Sequence, residues 1–182
     1  MQYKEEEIVQ QLLNEQTRRK AFSQMIALYQ ERLYWYVRKM VVVHEDADDV
    51  LQNTFLKAWK SIGSFRGESK LSTWLYRIAI NESITFLNRQ RQQLQITSEE
   101  DASFLLEGLQ ADPYFDGEEV HLLLQEAILG LPDKQRQVFN MRYFDEMKYE
   151  QMSEILGTSV GALKASYHIA AKKIEEFFSE RG

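Results

Sequence analysis

From Phe22 the apolar residues Phe22, Ile26, Tyr29, Leu33, Val37 and Met40 recur three or four positions apart. This is the spacing of one stripe along an α-helix, which reaches Val42. A second helix is expected to open at Asp46, a good N-cap, with Asp48 and Asp49 in the first turn where the helix dipole favours acids. Val50, Leu51, Phe55, Ala58, Trp59 and Ile62 form its apolar side. Gly63 and Gly67 mark a loop, and Leu71, Trp74, Leu75, Ile78 and Phe86 then carry a third long helix that ends in Asn88-Arg89-Gln90-Arg91-Gln92. A further short helix is expected over 5–13.

The second half repeats this helical periodicity with sharper punctuation. A helix over 119–129 stops at Gly130-Leu131-Pro132-Asp133, with Pro132 at or just before the first turn of the next helix. That helix carries Val138, Met141 and Phe144. A short helix over 149–156 is closed by Gly157, and Thr158-Ser159 offers an N-cap for a final long helix striped by Leu163, Tyr167, Ala170, Ile174 and Phe177. Two helices joined by a tight turn containing Gly match a helix-turn-helix, whose second helix can enter a major groove. Between the halves, residues 96–118 lack a sustained helical period and contain Gly108, Pro113 and Gly117, so they read as a linker. Phe104, Leu105, Leu106, Leu109, Tyr114 and Phe115 within it are expected to pack in part on the domains or on a partner.

The expected fold is therefore all-α. Two small helical domains, 1–95 and 119–182, are joined by an acidic flexible linker, and the second contains the helix-turn-helix. The composition agrees. Eight Gly and two Pro in 182 residues are fewer than the about 13 and 9 of average usage, which disfavours a turn-rich sandwich or barrel. The absence of cysteine excludes a disulfide framework and thiolate metal sites, and it suits a reducing cytoplasm. No apolar run reaches the length of a membrane span, and the acidic start is unlike a signal peptide. No membrane insertion and no appended domain after the last helix are expected.

Charge changes the picture once it is located. The formal net charge is −6, which by itself argues against nucleic acid as a partner. Residues 1–95, however, hold 14 Lys/Arg and 11 Asp/Glu, and residues 121–182 hold 8 and 9. Residues 96–120 hold no basic residue and 8 acids. The deficit belongs to one short segment, and the first domain is mildly basic.

The candidate chemistry follows the same division. Over 65–91, Arg66, Lys70, Arg77, Arg89 and Arg91 are interleaved with Phe65, Trp74, Tyr76 and Phe86, and with Ser72, Thr73, Asn81 and Asn88. Cations neutralise phosphates, aromatics offer stacking platforms and amides read base edges, a set suited to unpaired or flipped bases. The last helix offers Ser159, Lys164, Ser166, His168, Lys172 and Lys173 opposite its apolar stripe, for phosphates and base edges. Glu45-Asp46-Asp48-Asp49 fits no metal-ligand spacing and reads as a helix start that presents carboxylates to a basic partner. His44, His121 and His168 form no triad or zinc signature, and no phosphate-binding Gly loop or nucleophile elbow occurs. No catalytic residue, metal or cofactor is expected.

Three blocks of the chain resemble the extracytoplasmic-function (ECF) sigma factors of bacterial RNA polymerase: DADDVLQNTFLKAW (46–59), SFRGESKLSTWLYRIAINESITFLNRQRQ (64–92) and LPDKQRQVFNMRYFDEMKYEQMSEILGTSVGALKASYHIAAKKIEEF (131–177). The resemblance implies a non-enzymatic specificity subunit that binds core RNA polymerase and promoter DNA. It implies that Asp46, Asp49, Val50, Gln52 and Phe55 form the polymerase-docking face. It also implies that the 63–70 loop with Asn81 holds a base flipped from the −10 duplex, that Trp74 supports that loop, and that Lys70, Arg77, Arg89 and Arg91 contact phosphates. The linker would run through polymerase channels, and an anti-sigma factor would be a further partner.

One departure stands out. Ala165, Ser166, Ile169 and Ala171 occupy positions where the family's −35 recognition helix often carries arginine or other polar contacts, so −35 binding is expected to be weak without tethering. Two alternatives use that departure: a sigma mimic that titrates an anti-sigma factor, and a sigma factor recruited to DNA by a separate partner. The intact base-reading set over 64–92 speaks against a decoy.

Overall fold

The stripe that begins at Phe22 winds into α2 (Arg18–Val41). The computed structural model buries Phe22, Met25, Tyr29, Leu33, Val37 and Met40 along one side of it. Residues 2–98, 101–113 and 117–182 are described. Glu99, Glu100, Tyr114, Phe115 and Asp116 of the acidic segment lie outside the described residues. Around α2 pack α1 (Gln2–Leu13), α3 (His44–Ser61) and α4 (Leu71–Gln93), with a 3-10 turn at Ile62–Ser64. The second unit contains α6 (Glu119–Leu129), α7 (Asp133–Tyr143), α8 (Tyr149–Leu156) and α9 (Val160–Arg181). No strand occurs among the described residues.

Asp46 is not the N-cap of α3. The helix begins two residues earlier, at His44, with Val43 extended at the cap position and Asp46 inside the first turn. The cause is the corner before it. Val42 has φ 75°, the Val43 N–H donates to the Val41 carbonyl at 2.9 Å, and Arg38 Nε donates to the Val42 carbonyl at 2.6 Å. Such a reversal is costly for a β-branched residue, and the arginine holds it in place. The chain therefore turns within two residues and enters α3 at once.

The linker carries a helix of its own, α5 (Ser103–Gln110), which buries Leu105 and Leu109. It lies against the same corner. A Cβ added at Gly108 would fall 2.7 Å from Val43 Cγ2, and Asp112, just beyond the helix, pairs with Arg38. Gly108 thus permits a close approach at the cost of helix propensity. Gly108→Ala gains about 1 kcal/mol of propensity but overpacks a stiff valine at about 1–3 kcal/mol. A net destabilisation is expected in thermal unfolding, and an unchanged or raised Tm would contradict the close packing.

In the second unit, Gly157 at φ 66° ends α8, and Ser159 Oγ accepts from the Ala162 N–H at 3.2 Å to start α9. Phe139 stacks between Tyr143 and Tyr167, with centroids 5.1 and 5.6 Å away. With Ile128, Leu131, Ala170 and Ile174 it forms a small local core. The larger core is shared by both units: Leu33, Leu75 and Leu87 belong to the same buried cluster as Met141, Met152, Ile155 and Leu163. The two units meet where α7 lies on α2 and α8 lies on α4.

Candidate nucleic-acid interface

The loop that precedes α4 is held from three directions. Phe65 is buried and packs on Trp74 at 4.9 Å between ring centroids. Gly67 supplies the positive φ of 71° that the reversal requires. Glu5 of α1 accepts the Leu71 N–H at 3.0 Å, so an acid from a distant helix satisfies an end donor that Lys70, the cap residue, does not. Glu5 was missed by the sequence reading, since no local signal joins it to position 71. Between α1, α2 and this loop opens a cleft of about 870 Å³, lined by Glu5, Arg32, Gly67, Lys70 and Ser72 among others.

Along α4 the candidates separate into stripes. Trp74, Asn81 and Asn88 follow one another at seven-residue intervals, and both asparagines are exposed. Lys70, Arg77, Ile84 and Arg91 form a parallel row beside them, offset by four residues and therefore adjacent on the helix surface. Arg66 and Arg89 are also exposed, and Ser72 is half-buried. The structure thus brings Asn81, Asn88, Arg89 and the loop residues Arg66 and Lys70 to accessible positions of one helix and its entry.

Three candidates on this side are not free to meet a ligand, and a fourth is engaged in part. Phe65 and Thr73, 5% and 2% exposed, shape the loop and helix from beneath, because Thr73 opens a second buried stripe of α4 that continues through Tyr76, Ile80 and Ser83. Arg91 is 6% exposed and makes a two-pronged ion pair with Asp133 of α7, at 2.7 and 2.8 Å. Arg77 keeps an exposed side chain but donates to the Ile155 carbonyl at 3.3 Å and to the Glu154 carbonyl.

The docking candidates on α3 divide similarly. Asp49 and Gln52 are exposed, Asp46 and Phe55 are half-buried, and Val50 at 2% exposure is part of the core. Burial, reinforced by Asp49 and Glu45, raises the Asp46 carboxyl above its ordinary range, while Gln90 hydrogen-bonds to it and acts in the opposite sense. The outward ridge runs instead through Asp49, Gln52, Leu56 and Trp59. Leu56 is 57% and Trp59 39% exposed. Leu56 was missed, although its spacing of four from Gln52 places it on that ridge.

On α9, Lys164, His168 and Lys172 recur at four-residue intervals on one exposed face that starts at Ser159. Ser166 and Lys173 do not lie opposite the apolar stripe; they sit half-buried on its flank, seven residues apart. Lys164 lies 5.7 Å from the Tyr149 ring centre, and Arg142 covers the same ring at 4.7 Å.

Among the described residues no group of three or more His, Asp or Glu side chains could hold a metal ion, and no helix is long and apolar enough to cross a membrane. The family model for sigma-70 region 2 matches residues 25–93, and that for sigma-70 region 4 matches 121–174. The chain is 30% identical over 156 residues to the ECF RNA polymerase sigma factor SigW of Bacillus subtilis (strain 168), covering 81% of this chain and 83% of the relative. It is 28% identical to the ECF RNA polymerase sigma-E factor of Escherichia coli (strain K12), over 93% and 94% of the two chains. Among solved structures, CnrH in complex with the cytosolic domain of CnrY is similar with a TM-score of 0.70, 20% identity and coverage of 98% and 99%. The sigma factor RpoE in complex with the anti-sigma factor NepR from Bartonella quintana gives 0.66, 23%, and 88% and 98%.

Proposed function

Because the chain belongs to the ECF sigma factors, which bind core RNA polymerase and direct it to promoters, we propose that its −10 element is read by Asn81, Asn88 and the 63–70 loop. Arg66, Lys70, Arg77 and Arg89 supply phosphate contacts. One observation carries this reading: two exposed asparagines lie in register with Trp74, the residue that holds the loop through Phe65. A flipped base needs a preformed pocket with stacking and edge hydrogen bonds to offset a few kcal/mol of lost stacking. A rigid helix bearing amides beside a stapled loop meets that need.

Polymerase docking falls to Asp49, Gln52 and Leu56, with Asp46 and Phe55 at the margin and Val50 supporting from below. The −35 element meets Ser159, Lys164, His168 and Lys172, a short face whose low charge makes duplex binding depend on tethering through polymerase. The action is on cytoplasmic DNA, with no catalysis by this chain. An anti-sigma factor is a fitting regulatory partner, since both solved neighbours are complexes and the partner of RpoE is the anti-sigma factor NepR.

The test is transcription with core polymerase on a library of random promoters, with the starts sequenced. Asn81→Ala is expected to lose about 1–3 kcal/mol of discrimination at one −10 position while polymerase affinity holds. Equal loss of both would contradict the assignment.

A further inference from the structure

The backbone of the 63–70 loop bonds to its own surroundings only at the two ends. The Phe65 N–H donates to the Ile62 carbonyl at 3.2 Å, the Ser64 hydroxyl to the Ser61 carbonyl at 2.7 Å, and the Trp74 N–H to the Lys70 carbonyl at 3.1 Å. The stretch between them rests on α1. Val9 lies against Gly67, where a Cβ would sit 3.5 Å from Val9 Cγ1. Just past the loop, Glu5 Oε1 accepts the Leu71 N–H at 3.0 Å. Lys70, at the cap position of α4, supplies no side-chain cap, so the first donor of that helix depends on a residue 66 positions earlier.

Glu5 is committed to this task. Of the three consecutive glutamates Glu5, Glu6 and Glu7, only Glu5 is drawn partly inward. Its carboxylate also hydrogen-bonds the hydroxyl of buried Tyr29. Burial first, and Glu5 after it, raise that hydroxyl above its ordinary pKa, so Tyr29 stays protonated and donates. The same carboxylate faces the positive end of α4. Glu5 lines the cleft beside the loop, but protein donors already engage it there. Its own helix is firmly seated. Ile8 and Leu12 belong to the main core, and the Thr17 hydroxyl and Arg18 Nε donate to the Gln11 and Leu12 carbonyls, both at 2.8 Å. Position 5 therefore joins the core around α2 to the entrance of α4.

We infer that Glu5 is a positioning residue for −10 selection: reaching across from α1, it sets where the 63–70 loop stands relative to Asn81. This rests on the assignment of the loop and Asn81 to the −10 element. A base-reading site discriminates only when its donors and acceptors are held within about 0.5 Å of the productive geometry. Without Glu5 the loop keeps its Phe65 anchor and loses the tie at its other end. The pocket still forms, and it admits a wrong base more readily.

The test uses the full chain with core polymerase. Its probes are a promoter selected in the transcription experiment above and the same promoter with one −10 base changed, at the position where Asn81→Ala acts. Discrimination is the ratio of open-complex formation on the two, which the amount of folded protein does not move. Glu5→Ala is expected to lower this ratio about tenfold with polymerase affinity retained. It is also expected to speed amide hydrogen exchange over 66–74 in the free chain. Glu5→Gln keeps an acceptor at the same reach and is expected to keep both values near those of the unaltered chain. Glu5→Asp keeps the charge but falls one methylene short, and is expected to behave as Ala. Should Glu5→Ala not fold, the contrast between Gln and Asp decides. Ile174→Ala, in the small core of the second unit, weakens the fold away from the loop and is expected to leave the ratio unchanged. An unchanged ratio in Glu5→Ala, rescue by Asp in place of Gln, a lost ratio without faster exchange, or an equal loss in Ile174→Ala would each overturn the inference. An Asn81→Ala effect beside an unchanged Glu5→Ala ratio removes the role of Glu5 alone. If Asn81→Ala leaves every −10 position unaffected, the reading of α4 itself fails, and the inference falls with it.

Discussion

Asp133→Ala is expected to destabilise the free chain by about 3–5 kcal/mol in denaturant unfolding, the cost of leaving buried charge unpaired. Asp133 opens α7 and is 4% exposed. It binds Arg91 with two short contacts and Arg136 with one at 3.5 Å. Arg136 is fully buried, and desolvation, only partly opposed by Asp133, pushes its guanidinium down to about 10. Without the carboxylate, two like charges share a dry seam. Arg91→Met is expected to cost clearly less, because Asp133 keeps Arg136 and sits at a helix N-terminus that favours a negative charge. Equal losses for the two variants would show that the pair, and not the carboxylate at its centre, sets the stability.

The second large effect concerns polymerase. Asp49→Lys reverses a charge on the outward ridge of α3, and affinity for core polymerase is expected to fall by about 2–5 kcal/mol. Asp49 is exposed, so the change in unfolding free energy stays within about 0.5 kcal/mol. The two readouts separate a docking residue from a structural one. A matched loss of stability would move Asp49 into the fold, and full affinity would move the docking face elsewhere.

The elements that were legible in the sequence are those with local punctuation. Gly130-Leu131-Pro132 divides α6 from α7, and Gly157 with Ser159 divides α8 from α9, because a left-handed residue, a fixed φ and a hydroxyl cap act within a few residues. What depended on distant packing was not legible. The two turns of α5 are too few to establish a period, and its helix exists against Val42 and Val43, which only the fold brings near. The start of α3 moved from Asp46 to His44 because an arginine four residues before Val42 holds an unusual corner.

The site shows the same limit in a sharper form. Arg77 and Arg91 are expected at phosphate anions, and in the fold they meet helix-end carbonyls and a carboxylate. Composition does not reveal whether that anion is a phosphate or a carboxylate 42 residues farther along the chain. Phe65 and Thr73 carried the right residue types for contact and face inward instead. The exposed Asn81 and Asn88 are where the sequence reading and the solvent-facing surface of α4 agree.

The core shared by the two units has a consequence for solubility. Met141, Met147, Met152 and Ile155 are covered in part by the first domain, so separating the units wets apolar side chains that no DNA strand would cover. Such surface drives association with whatever apolar face is at hand. An opened chain is therefore sticky when alone and settled only on a large protein partner.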